Sequence, residues 1–236
     1  MVSSFRTYPL GDSAITFEFG NQIDESINRQ VVSLFSHLQK LNLSGVLDII
    51  PAYCSITIVY DLFLLRKQTS GLAYDFIKDE IEKEIKKVNW KSESRPKALE
   101  IPVCYDELLA PDLSSLAKEK KLSVEKIIQK HSNKTYRVHM IGFLPGFAYM
   151  GKVDKSISMP RKSKPAVLVK AGSVGIAGEQ TGIYPLDSPG GWNIIGRTPL
   201  QLFSAKRKDP VLLKAGDEVR FTPITLKEFH QLKSKP

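Results

Sequence analysis

The sequence predicts an α+β protein of two domains, a small amino-terminal α/β sandwich followed by a β-rich barrel or sandwich. Three observations predict it. Apolar residues recur at helical spacing through much of residues 1–90, whereas the second half breaks into short apolar segments separated by turns. Charge divides at the same place: residues 1–90 carry 9 basic and 11 acidic residues, net −2, and residues 91–236 carry 25 basic and 14 acidic, net +11. Of the 15 glycines, 10 lie between Gly142 and Gly196, and six of the 14 prolines lie between Pro145 and Pro199. Backbone geometry is therefore dictated most tightly in that stretch.

Ile15, Phe17 and Phe19 alternate with polar neighbours and predict a half-buried strand. From Asp24, an N-cap residue, Ile27, Val31, Leu34, Phe35, Leu38 and Leu41 recur at helical spacing. Val46 to Ile50 and Cys54 to Tyr60 read as strands on either side of Pro51. A second helix is predicted from Ser70 to Val88, with Leu72, Phe76, Ile77, Ile81, Ile85 and Val88 inward and a Lys/Glu mixture outward. The order β-α-β-β-α places helices on one face of a sheet. Asn89 to Lys97, with four charged residues and Pro96, is the expected linker, so the domains are read as residues 1–90 and 97–236. The second opens with a strand at Leu99 to Cys104. A helical patch follows from Asp112 to His131, broken near Lys121-Leu122-Ser123, and then a strand at Thr135 to Ile141. Beyond the glycine-rich region come the short segments Leu200 to Phe203, Val211 to Leu213 and Glu218 to Phe221, with a turn at Ala215-Gly216-Asp217.

Composition excludes several classes. An apolar content of 42% with 25% charged residues is that of a soluble globular chain. No apolar run approaches the roughly 20 residues of a membrane helix, and Met1 to Ser13 lacks the order of a signal peptide. A cytoplasmic protein without a membrane partner is expected. Cys54 and Cys104 sit in separate strand-like contexts and read as two buried thiols. The positive half permits an anionic substrate, nucleotide or acidic partner and selects none of them.

Several short motifs fail on their chemistry. Gly146 to Lys152 nearly satisfies a P-loop, but Val153 stands where the magnesium-binding hydroxyl belongs, and bulky Phe147, Tyr149 and Met150 fill the cradle. Gly172-Ser173-Val174-Gly175 lacks the nucleophile-elbow spacing, because Ala171 lies two before Ser173. The Leu113 to Ile128 patch has a helix-turn-helix cadence with few base-reading side chains, so a structural helix pair without nucleic acid is expected. His37, His131, His139 and His230 include no pair at metal spacing, and no metal site is expected.

The ordered run from Ile141 to Met150, through Pro160-Arg161, Ala171 to Gly178, Gln180 to Pro185 and Ser188 to Pro199, closely resembles the 5-oxoprolinase B-subunit family. That family is also described as allophanate hydrolase subunit 1 and includes the sporulation-kinase inhibitor KipI. Pro9 to Ala14 and Ala215 to Phe221 resemble it as well, so the likeness spans essentially the whole chain. Two departures stand out. Pro165-Ala166 replaces a second Pro-Arg, and Val169-Lys170 replaces Val-Pro, so the second arginine's role is absent or falls to Lys164 or Lys170.

The resemblance implies a cyclophilin-like β-barrel for the second domain and membership of a complex. With the A and C subunits, that complex cleaves 5-oxo-L-proline to L-glutamate while hydrolysing ATP. The chain is then one subunit of an ATP-dependent cyclic-amide hydrolase, inactive alone. ATP is bound by the complex, and magnesium could accompany it. Arg161 and Arg197 could clamp a carboxylate or phosphate. Gly172, Ser173 and the glycines to Gly178 could present N–H donors to an oxyanion. Gln180 and Tyr184 could position the lactam, and His139 could shuttle a proton. Each is as readily structural, and Phe147 and Trp192 could fill a core. The glycine-rich face, with Phe143, Phe147, Tyr149 and Trp192, is the expected contact with the C subunit. The alternative implied by the same resemblance is a KipI-type inhibitor that binds a sensor histidine kinase.

Overall fold

In a computed structural model the chain divides into two compact units, Met1–Arg95 and Pro96–Pro236. Residues 4–90 and 98–234 are described. The Asn89–Lys97 linker therefore falls mostly outside the described residues.

The first unit contains β1 (Arg6–Pro9), β2 (Ala14–Glu18), α1 (Glu25–Leu38), β3 (Val46–Pro51), β4 (Ser55–Tyr60), α2 (Leu62–Gln68) and α3 (Ala73–Ile85). Its antiparallel sheet has the order β1-β2-β4-β3. The alternation of β2 and β4 sets Ile15 opposite Ile58 and Phe17 opposite Ile56. This apolar face packs against Val31, Leu34 and Leu38 of α1 and Ile77, Ile81 and Ile85 of α3. On the other face the Thr16 and Thr57 hydroxyls meet at 2.9 Å. Asp24 caps α1 by accepting from Ser26 N–H at 2.8 Å and Ile27 N–H at 3.1 Å. The second long helix is shorter than expected. Leu72 is its N-cap and is 65% exposed, because it precedes the first turn and never joins the buried face.

The second unit contains β5 (Leu99–Cys104), α4 (Leu113–Lys120), α5 (Val124–Ser132), β6 (Thr135–Ile141), β7 (Ala148–Gly151), a 3-10 turn (Lys155–Ile157), β8 (Ala166–Val169), β9 (Ser173–Ala177), β10 (Gln180–Ile183), β11 (Ser188–Gly190), β12 (Asn193–Arg197), β13 (Glu218–Ile224) and α6 (Leu226–Lys233). Seven strands close into a barrel in the order β10-β7-β6-β13-β5-β12-β9, with β9 returning to β10. The barrel and the mixed helices bear out the α+β expectation. Among the described strands only β5 and β13 pair in parallel. The barrel is filled by inward residues such as Val138, Met150, Val174, Ile176 and Ile183. Leu200 to Phe203 and Val211 to Leu213 form no strands; one isolated bridge joins Phe203 to Val211. Pro199 and Pro210 flank these segments and withhold ladder donors, while Leu202 and Leu213 anchor them in the core.

The α4–α5 pair seals the barrel. Leu113, Leu116, Ala117 and Ile127 are buried in its core, as a structural helix pair requires. Lys121 ends α4 in the left-handed region at φ 53°, with its N–H on the Ala117 carbonyl. A lysine therefore occupies the position where glycine is usual.

Inside the barrel lies a buried polar chain. The Tyr105 hydroxyl meets His131 Nδ1 at 2.8 Å, and His131 Nε2 meets Thr181 Oγ1 at 2.9 Å. Thr181 Oγ1 donates its own hydrogen to the Gly175 carbonyl at 3.0 Å. The threonine oxygen must then accept from Nε2–H, and Tyr105 must donate to Nδ1. His131 is thereby fixed as the neutral Nε2–H tautomer, stacked on Phe221 at 4.6 Å. Burial holds its pKa down at about 3. This chain ties α5 to β10 from the inner face, beneath the strand that carries Gln180.

Candidate functional site

The outer face of β9 and β10 is bare where it would ordinarily carry side chains. Gly182 and Gly175 stand opposite each other. A Cβ on Gly182 would meet the Ala148 carbonyl at 2.9 Å, the Trp192 ring at 3.1 Å and the Phe147 ring at 3.2 Å. The missing side chains let the two rings lie directly on the sheet. Phe147 and Trp192 meet edge to face at 5.4 Å, Phe147 meets Tyr184 at 5.1 Å, and Tyr149 lies 4.7 Å from Phe147. Val169, Ala177 and Ile194 complete this second apolar cluster. Of the two readings open for Phe147 and Trp192, contact surface or core, the structure has the core: both are buried, with Trp192 only 4% exposed. Phe143 alone of the expected aromatics is largely exposed, and it rests edge-on against Phe147 at 5.8 Å.

Around this aromatic wall stand the polar groups. Tyr184 follows β10, and its backbone continues the ladder to Ser173 and Gly172. Gln180, Gly182 and Tyr184 thus share the outer face. Burial pushes the Tyr149 and Tyr184 phenols up, so both stay protonated as donors; the nearby Arg161 charge opposes that shift in each. At Tyr184 the Trp192 backbone N–H also bonds the phenol oxygen. Arg161 is exposed and has no carboxylate or hydrogen-bond partner among the described residues. Arg161 thus leaves an uncompensated positive charge near two protonated phenols that border the apolar wall.

The other expected residues are placed differently. Arg197 pairs across the ladder with Ser173. Its Nε donates to the Ala171 carbonyl at 2.8 Å, and Asp187 lies within reach of its charge. Arg197 therefore holds the turn before β9 as well as presenting its terminal nitrogens. The expected N–H donors are not on offer. Gly172 N–H is bonded to the Tyr184 carbonyl at 2.7 Å, Ser173 N–H to Lys170 at 3.1 Å and Gly178 N–H to Met159 at 2.6 Å. Gly172 is required for shape, since φ is +85° and a Cβ would meet the Thr198 carbonyl at 2.4 Å. His139 is buried at the bulge in β6. Its Nδ1–H donates to the Arg137 carbonyl at 3.0 Å, so any proton exchange by this ring runs through Nε2. Its strand is separated from β10 by β7, about 10 Å away in strand spacing, and the residue of β6 level with Gln180 is Arg137, two before His139.

Residues 5–213 match the family described as carboxyltransferase domain, subdomain C and D. A 5-oxoprolinase B subunit of Bacillus subtilis (strain 168) is 40% identical over the whole chain and 99% of its own length. The chain belongs to the 5-oxoprolinase B-subunit family. The 5-oxoprolinase B subunit of Escherichia coli O157:H7 is 37% identical over 92% of this chain and 95% of its own. Among solved structures, TTHA0988 superposes with a TM-score of 0.79 at 34% identity over 89% of this chain. This chain spans 40% of TTHA0988, so there the same module is joined to further polypeptide.

Both departures from the family pattern are now located. Ala166 packs on the aromatic wall, and Lys170 is paired with Asp187 at 2.9 Å. Three features of this face were missed in the sequence. Tyr149 read as a contact aromatic, yet its phenol shares the Arg161 charge with Tyr184. Ser188, opposite Val169 on the ribbon over the wall, keeps a buried Oγ with no partner. Gly182 was one glycine among many; only its cross-strand pairing with Gly175 marks it as the floor of the site.

Proposed function

We propose that this chain is the B subunit of an ATP-dependent 5-oxoprolinase, which opens 5-oxo-L-proline to L-glutamate together with the A and C subunits in the cytoplasm. The observation that carries the reading is Arg161, an exposed cation without an internal anion whose charge reaches the Tyr149 and Tyr184 phenols at the aromatic wall, in a chain of this family. A small cyclic amide bearing one carboxylate fits that chemistry. Arg161 holds the carboxylate, the phenols donate to the amide oxygen, Gln180 orients the ring and His139 Nε2 exchanges a proton. Arg197 adds positive charge from the neighbouring turn.

The nucleotide is assigned to the complex. In this chain the P-loop-like run is not a phosphate cradle: Ala148–Gly151 is β7, paired on both sides with β6 and β10, and Phe147 is buried beside it. Among the described residues no group of three His, Cys, Asp or Glu side chains could hold a metal ion. In this reading magnesium enters with the nucleotide on a partner. No described helix is long and apolar enough to cross a membrane.

Two results are expected. Purified alone, the chain should release no glutamate from 5-oxoproline, and mixing with the A and C subunits should produce ATP-dependent release. Turnover by the isolated chain would contradict a site completed by partners, and inhibition of a sensor kinase with no glutamate from the mixture would support the regulatory alternative. Within the active mixture, Arg161→Ala should lower kcat/KM by about 10- to 150-fold, the loss of one charge-assisted contact of about 1.5–3 kcal/mol. Its melting temperature should not change, because Arg161 is exposed and holds nothing internally. Wild-type kinetics in that variant would remove Arg161 from the site.

A further inference from the structure

Strands β8 and β11 belong to no larger sheet. They pair only with each other, so the ribbon has two unpaired edges among the described residues. Pro189 sits in β11 and blunts that edge, which leaves β8 open. The ribbon is firmly seated from below: Ala166 and Val169 pack on the aromatic wall, and Gly190 lies against the Tyr184 ring. Its upper side is the reverse. Val167 is 89% exposed and Leu168 53% exposed, two consecutive aliphatic side chains on an open strand edge. Single exposed apolar residues are ordinary, but an apolar open edge invites pairing with another chain unless it is covered. Phe143, leaning on the same wall, adds a bulky ring held in the left-handed region at φ 68° and 64% exposed.

We infer that the β8 edge, with Val167, Leu168 and Phe143, is the surface on which a partner subunit of the 5-oxoprolinase complex docks through an extended, acidic segment. The inference rests on the function proposed above. Two observations choose the occupant over a second copy of this chain. Positive charge flanks the edge: Arg161 and Lys164 have no acidic partner among the described residues, whereas Lys162 and Lys170 are already paired with Asp112 and Asp187. A second copy would bring the same uncompensated cations against them, while an acidic strand would neutralise both and accept the backbone donors of β8. The solved relative TTHA0988 joins the same module to further chain amounting to more than half of its length, so a companion polypeptide is available to this surface in cis there. Docking at β8 would also press the ribbon onto Tyr184 and so complete the site only in the assembled complex.

The test uses the full chain with Val167→Asp/Leu168→Asp, and with the milder Val167→Thr/Leu168→Thr, which keeps strand preference. Melting temperature, binding to the purified C subunit by calorimetry at low and high salt, and sedimentation of the chain alone are measured. The expected result is an unchanged melting temperature, wild-type binding that weakens with salt, and at least about tenfold weaker binding in the aspartate variant with a smaller loss in the threonine variant. Equal binding by wild type and both variants would overturn the docking surface and leave the proposed function standing. No binding by the wild type would overturn both. Self-association of the wild type abolished by the aspartates would show that a second copy is the occupant, and would overturn the inference too.

Discussion

Trp192→Ala is expected to destabilise the carboxy-terminal unit by about 3–5 kcal/mol, the range for removing a buried large aromatic side chain. Trp192 is 4% exposed, meets Phe147 at 5.4 Å and Tyr149 at 5.8 Å, and fills the space that Gly182 leaves on the sheet. The neighbours cannot close the gap easily. The glycine floor has no side chain to rise into it, and the Ala148 carbonyl lies close beneath. Tyr184 would lose the fixed Phe147 ring it packs against at 5.1 Å, so activity of the complex should fall with stability. Trp90 is the other tryptophan and packs in the first unit, which gives the measurement a control. In denaturant titrations, the Trp90 fluorescence transition should stay in place while amide protection across residues 98–234 falls. Protection in the second unit within about 1 kcal/mol of wild type would mean that the aromatic wall is not a cohesive element.

The second large effect is on acid stability, through His131. Its folded pKa, about 3, lies below the ordinary histidine value because burial disfavours the charged ring. The sign follows from proton binding. Between these two values the unfolded chain binds a proton that the folded chain does not, so stability falls as pH falls. The neutral ring's full stability is present above about pH 6.5 and is lost progressively down to about 3, at no more than ~1.4 kcal/mol per pH unit. Carboxylates held below their usual range, such as Asp154 beside Ser156 and Lys130, Asp187 beside Ala171 N–H and Lys170, and Glu84 beside Lys87 and His37, act in the same direction but at lower pH. The histidine therefore dominates the upper part of the window. Urea unfolding at pH 6.5 and 4.5 should show wild type losing about 2–3 kcal/mol more than His131→Asn, although that variant starts less stable at both pH values because Tyr105 or Thr181 loses its partner. Equal losses in the two proteins would show that His131 ionises outside this window.

The legible part of the fold was the part governed by repetition. The alternation of Ile15, Phe17 and Phe19 and the spacing of Val31, Leu34 and Leu38 report burial directly, and β2 and α1 appear where those patterns lie. Short elements escaped for lack of period. β1 exposes three of its four residues, and α2 buries only Leu65. The carboxy-terminal α6 had a readable start, since Thr225 and Glu228 form a reciprocal capping box, but its single buried residue, Phe229, left no apolar stripe to follow. The glycine-rich stretch was legible as a shaped surface and illegible as a site. Whether Gly172 lends its N–H to a ligand or to the Tyr184 carbonyl depends on the ladder partner ten or more residues away. Whether Trp192 faces water or a bare strand depends on Gly182 and Gly175 standing opposite each other. Arg161 and Arg197 looked alike in sequence. Only the fold distinguishes a cation with no internal partner from one whose Nε secures a turn.

That this chain completes the catalytic site of a 5-oxoprolinase is tested by omitting it from an otherwise complete mixture. The A and C subunits are incubated with 5-oxo-L-proline, ATP and magnesium, with and without this chain, and glutamate and ADP are quantified together. Glutamate formation should appear only when the chain is present, rise in proportion to it up to stoichiometry with the C subunit, and be matched by ADP. Glutamate released at the same rate without the chain would contradict it.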